Sequence, residues 1–140
     1  DWQYMSSFEY FDRANEKGYD KFTQIAANLA MVAKLPKDLR DDLTVIFLTH
    51  SEDSTDINGN RKIKAKTIGK MIDNTLTLEG LFSIVLFGKV NKNDDGELEY
   101  GFETQNSGEN TCKSPMGMFE DNFIPNDLQF VKDCIEKYNQ

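Results

Sequence analysis

The apolar positions change rhythm three times along the chain. Asp20 is placed to cap a helix in which Phe22, Ile25, Ala26, Leu29, Ala30 and Ala33 follow the spacing of one helical face. Leu35-Pro36 ends it, because the residue before proline avoids helical angles. An earlier helix is expected after Ser6 and Ser7, with Glu9 in its first turn and Phe8 and Phe11 on one side, up to Gly18. Residues 37–42 form a charged connector. From Leu43 to His50 the pattern becomes a near-continuous apolar run rich in β-branched residues, which predicts a strand covered on both faces, as in a parallel sheet. It ends in Thr49, His50, Ser51 and Glu52, and ligand chemistry in open α/β sheets collects at the carboxyl ends of strands.

Residues 53–62 read as a polar loop around Asn58-Gly59-Asn60, and Thr67 to Leu76 as a short helix or turn. A second apolar strand is expected over Leu81–Val90. The third rhythm is alternation: Leu98, Tyr100 and Phe102 against Glu99, Gly101 and Glu103 predict a half-exposed strand, paired with the one before through a turn at Asn91–Gly96. Residues 105–125 read as irregular. Asn126-Asp127 opens a capped helix with Leu128, Val131, Ile135 and Tyr138 on one stripe. The fold class is therefore α/β at the start, with an antiparallel hairpin near the end.

Composition narrows this to one domain of 140 residues that holds a core without disulfides. No apolar run reaches the roughly 20 residues that cross a bilayer. Two cysteines make no disulfide framework, so a reduced, cytoplasmic setting is expected. The net charge of −8 argues against a surface that grips nucleic acid everywhere. The charge is uneven, however. Residues 1–70 carry 11 basic and 11 acidic side chains, whereas residues 71–140 carry 5 and 13 and hold the whole excess. Arg61, Lys62, Lys64, Lys66 and Lys70 crowd into ten residues without an acid, so contact with a polyanion is sought there.

Candidate chemistry is sparse, and each candidate has a structural reading beside it. His50 is the only histidine; such a residue is commonly structural, but its place after a strand suits proton relay. Asn91–Gly96 imitates a calcium loop, yet Phe102 stands where the closing acid is required, so a turn is expected. Cys112 and Cys134 lack zinc spacing. No phosphate loop, dinucleotide fingerprint or serine elbow is present. Lys113, within Thr111–Phe119, reads either as a connector lysine or as a cation offered to a phosphate. The basic segment reads either as a solvated face or as a backbone-contacting one.

Several short stretches resemble, in order, a family of phage-encoded P-loop NTPases. They are Asp1–Met5, Glu16–Phe22, Leu39–Leu43 leading into Phe47–Glu52, Lys66–Lys70, Glu79–Phe82, Phe102–Gln105 and Lys113–Met118. These are ATP-binding proteins with a RecA-like core linked to phage recombination and replication. The resemblance covers the second half of that domain, without its phosphate loop. It implies ATP and Mg²⁺ as cofactors of the parent, Asp1 as a metal- and nucleotide-side acid, and Thr49 and His50 near the γ-phosphate. It further implies a DNA-facing role for the basic segment, Lys113 reaching a neighbouring subunit, and a homo-oligomer. Its implied partners are the missing amino-terminal half or that neighbouring subunit. Without the cradle of backbone N–H groups that a triphosphate needs, this chain alone is expected to be inactive as an ATPase. The alternative is a stand-alone acidic binding protein that mimics DNA or inhibits a host enzyme, motivated by the charge of residues 71–140.

Overall fold

The computed structural model describes residues 8, 12–13, 15–18, 20–67 and 77–140. Helix α1 runs Asp20–Lys34 and buries Ile25, Leu29 and Ala33, the i, i+4, i+8 row of the expected stripe. A 3₁₀ turn over Leu35–Asp38 takes up the chain at Pro36. Lys21 is also buried: its ammonium donates to the carbonyls of Arg13 (3.2 Å) and Glu16 (3.3 Å), which satisfies a charge that burial would otherwise penalise. A second 3₁₀ turn, Leu78–Leu81, packs against α1 and buries Leu78 and Glu79.

Strands β1 (Ser51–Thr55) and β2 (Arg61–Ala65) form a two-stranded hairpin. It is closed at its tip by Asp56 N–H donating to Asn60 O (2.9 Å) and at its base by Lys66 N–H donating to His50 O (2.7 Å). Strands β3 (Phe87–Lys92), β4 (Leu98–Glu103) and β5 (Phe123–Pro125) form an antiparallel sheet in the order β3-β4-β5. Val90 lies opposite Tyr100 and Phe102 opposite Ile124. Gly101 is needed where β4 meets β5. A β-carbon there would stand 2.6 Å from the Ile124 carbonyl and 2.3 Å from the Phe123 ring. Helix α2 (Leu128–Tyr138) begins at Asp127, whose carboxylate accepts from Gln129 N–H (2.8 Å) and Phe130 N–H (3.3 Å). Its stripe buries Val131 and leaves Leu128 and Tyr138 exposed.

The chain divides into two compact units, Asp1–Ser51 with Ala65–Leu81, and Glu52–Lys64 with Phe82–Gln140. The fold is mixed α/β. The β3–β4 hairpin, its Asp94–Gly96 turn and both described helices match the sequence expectation.

Four segments differ from it, one of them Phe123–Pro125, which lies in the stretch read as irregular over residues 105–125 and forms β5 by pairing with β4. Leu43–His50 takes neither strand nor helical structure, and Leu43, Val45, Ile46 and Leu48 are exposed, Leu48 at 85%. An apolar run becomes a covered strand only where strands flank it and layers cover it. The sheets among the described residues are antiparallel and lie elsewhere. Their parallel pairing is confined to the isolated Ile63–Asn110 bridge. Residues 53–62, read as a loop, are instead the body of the β1–β2 hairpin. The Leu81–Val90 strand starts late, at Phe87, after the 3₁₀ turn and a single bridge at Val85. The helix expected after Ser6 falls largely, and Thr67–Leu76 almost wholly, outside the described residues.

Candidate functional site

In the second unit, the end of β4 organises a polar cluster. The Glu103 carboxylate accepts from Lys89 Nζ at 2.6 Å and from Asn110 Nδ2. Asn110 is only 3% exposed, and its Oδ1 accepts from Cys112 N–H at 3.0 Å. One buried amide therefore ties the 110–112 loop to β4. The neighbouring Thr104, 1% exposed, donates its hydroxyl to Asp121 O (3.0 Å) and its N–H to Asn122 O (3.0 Å). Its own carbonyl accepts from Ser114 Oγ at 3.1 Å, and Gln105 Nε2 donates to Ser114 Oγ at 2.7 Å. Every buried polar side-chain atom among the described residues has a partner.

Electrostatics follow from this packing. The hydrogen bond and charge of Glu103 raise the pKa of Lys89. Burial pushes the Cys112 thiol up to about 11, and the Glu103 charge adds to the effect. Cys112 is thus a protonated core thiol at neutral pH.

Lys113 sits between these two anchors. Its N–H donates to Val85 O (3.0 Å) and its carbonyl accepts from Val85 N–H (2.8 Å). Its side chain is half-buried, and no carboxylate pairs with it among the described residues. The segments around Phe102–Gln105 and Lys113–Met118, noted separately in the sequence, are joined here by the Thr104–Ser114–Gln105 contacts.

Thr49 and His50 belong to the first unit, and both are exposed at the end of the apolar run. The basic segment is partly neutralised. Arg61 forms a forked pair with Asp53 (2.9 and 3.1 Å), and Lys64 pairs with Glu52 at 3.2 Å. Lys62 and Lys66 make no ion pair among the described residues. Asp1 and Lys70 lie outside the described residues.

The described residues do not make a nucleotide cradle: among them no three carboxylate, histidine or cysteine side chains are grouped to hold a metal, and the sequence has no phosphate loop. None of the helices described is long and apolar enough to cross a membrane.

Sequence reasoning did not find Asn110 or the Glu103–Lys89 pair. The alternation of β4 puts Glu103 in register opposite Phe87, but Asn110 lies seven positions further along the chain, beyond the end of that strand. Comparison of the chain with family models, curated proteins and solved structures finds no match.

Proposed function

We propose that this chain is the carboxy-terminal portion of a phage RecA-like ATP-binding protein that handles DNA in recombination or replication in the host cytoplasm. The observation that carries the reading is the exposed run Leu43–Leu48. Its composition is that of a strand buried on both faces, yet Leu43, Val45, Ile46 and Leu48 face solvent. Covering each such side chain is worth about 1.5–3 kcal/mol. Strands of a larger α/β core, from the same protein or a neighbouring subunit, would supply that cover. Thr49 and His50 would then stand at a strand's carboxyl end, where such cores hold ligands.

In this reading ATP and Mg²⁺ are cofactors of the whole protein, with Asp1 on the metal side. Arg61, Lys62, Lys64, Lys66 and Lys70 face DNA, and Lys113 offers its ammonium to a phosphate across the interface of a homo-oligomer. The firm anchoring of the Lys113 backbone, together with an ammonium that pairs with no carboxylate among the described residues, supports that last role.

The reading frame upstream of Asp1 tests the proposal directly. A phosphate loop followed by an apolar strand ending in acid is expected; an initiator codon immediately before Asp1 refutes it. Biochemically, this chain alone is expected to show no ATP hydrolysis, and turnover abolished by His50→Ala or Lys113→Ala would refute the reading. The acidic excess of residues 71–140 favours the second reading, a binding protein that mimics DNA. A stoichiometric host enzyme inhibited by the purified chain would establish it.

A further inference from the structure

The outer half of the β3–β4 hairpin leaves one face of its sheet uncovered. Alternation puts Val90, Leu98, Tyr100 and Phe102 on that face, with Val90 directly across from Tyr100 and Lys92 across from Leu98. At the inner end the face is closed: Phe102 is half-buried, and Ile124 opposite it is 3% exposed. Outward it opens, with Tyr100 57%, Leu98 56% and Val90 50% exposed. These three are neighbours in the ladder, so they form one patch and are not scattered surface residues. The surface is preformed. The two strands pair from Phe87–Glu103 out to Lys92–Leu98. The turn is closed by Asn93 N–H donating to Glu97 O (2.9 Å), Gly96 N–H to Asn93 O (2.9 Å) and Glu97 N–H to Asn93 Oδ1 (2.8 Å). Asp94, Asp95, Glu97 and Glu99 put four carboxylates around the outer end of the patch, against one base, Lys92, in residues 91–99. None of the four forms an ion pair among the described residues, whereas Glu52, Asp53 and Glu103 of the same unit each do.

An apolar sheet face is ordinarily closed by a helix or by a second sheet. Charge decides what closes this one. A second copy of the chain would set four unpaired carboxylates against four more, in a unit whose residues 52–64 hold three acids and three bases and whose residues 82–140 hold eleven and five. A cationic occupant gains from the same four groups. Leu98 and Tyr100 stand about 7 Å apart along the strand, close to the spacing of i and i+4 on a helix, about 6 Å. A row of apolar helical side chains can therefore follow them. We propose that this face receives an amphipathic helix of a partner protein, apolar along one stripe and rich in Lys or Arg beside it. Only the second unit takes part, so the inference goes beyond both readings of the whole chain and is tested apart from ATP and DNA.

The test uses the full chain and three fluorescein-labelled synthetic peptides of about four helical turns. The first has Leu at helical spacing with Lys elsewhere, the second keeps the Lys and replaces Leu by Ser, and the third keeps the Leu and replaces Lys by Glu. Fluorescence anisotropy at about 50 and 150 mM salt reads affinity, and amide shifts of the labelled chain read location. The Lys/Leu peptide is expected to bind at least about tenfold more tightly than either other peptide, with its shifts concentrated over residues 90–100. Leu98→Thr combined with Tyr100→Thr keeps strand-forming residues, so the fold should stand. It is expected to weaken binding about tenfold or more and to leave the salt dependence as it was. Asp94→Asn combined with Glu97→Gln should weaken binding and flatten the salt dependence. Equal binding of the Lys/Ser peptide would reduce the effect to general attraction to an acidic chain and overturn the proposal. Equal binding of the Glu/Leu peptide would overturn the cationic partner. Shifts centred outside residues 90–100, or no binding of the Lys/Leu peptide at all, would overturn the site. Self-association of the wild type that the double Thr variant abolishes, with peptide affinity unchanged, would overturn it in favour of a second copy.

Discussion

Replacing Asn110 probes the joint between β4 and the Lys113 loop. In Asn110→Ala, Glu103 loses a donor, a bond to a charged group worth about 1.5–3 kcal/mol. The Cys112 N–H, bonded to Asn110 Oδ1 in a buried position, loses its acceptor, at a further cost of about 1–3 kcal/mol. The expected destabilisation is about 3–5 kcal/mol. Asn110→Asp separates the two contributions. It keeps an acceptor for Cys112 but sets a second carboxylate against Glu103. Burial and the like charge raise the folded pKa of the new acid above its unfolded value of about 3.9. The folded state then binds the extra proton more tightly, so stability falls as pH rises through that window and returns as pH drops. Urea unfolding followed by far-UV circular dichroism, at neutral pH and at about pH 4.5, reads both effects. At neutral pH the aspartate variant should be at least as unstable as the alanine variant, and in acid it should gain about 1–2 kcal/mol on it. An alanine variant within about 0.5 kcal/mol of wild type, or an aspartate variant whose pH profile parallels that of wild type, would refute the linkage described here.

Other substitutions address separate parts of the fold. Gly101→Ala must push β5 off β4, because its β-carbon meets a backbone oxygen; a loss of about 2–4 kcal/mol is expected, read as a lower urea midpoint. Asp127→Ala should cost about 1 kcal/mol and fray the start of α2, seen as faster amide exchange at Gln129 and Phe130. Iodoacetamide at neutral pH should label Cys134 and spare Cys112 until the chain unfolds, because burial both shields the Cys112 thiol from the reagent and pushes its pKa up to about 11, leaving almost no thiolate. Leu48→Lys should change the stability of this chain by less than about 0.5 kcal/mol, whereas a strand covered on both faces would lose several times that.

The sequence made the carboxy-terminal elements legible because their signals are local. Alternation in Leu98–Glu103, a glycine at the turn and an aspartate before an apolar stripe each act within a few residues. Helix α1 was legible for the same reason. The β1–β2 hairpin was hidden because charges occupy both strands: Glu52 and Asp53 face Lys64 and Arg61 as ion pairs, so no apolar alternation marked it, although Asn58-Gly59 announced the turn. The run at Leu43 shows the opposite failure. Its composition is that of a covered strand, but cover is a tertiary property that composition alone does not supply, and here the run is exposed. The Glu103–Asn110 joint depends on a loop folding back, which no periodicity encodes. Lys113 was legible as an unusual lysine, but its anchoring through Val85, Asn110 and Ser114 emerged only from the fold.

The second unit is written in the gene as two separate passages. Residues 52–64 come first, and the remainder resumes at Phe82 after 65–81 has served the first unit. Ile63 N–H donates to Glu109 O at 2.7 Å, so the early passage is stitched into the later one. A crossover between related genes just ahead of Phe82 would hand the recipient a hairpin from one ancestor and its docking loop from another. Exchange that respects this architecture has to carry both passages together, which makes the interior of the gene a poor place for shuffling.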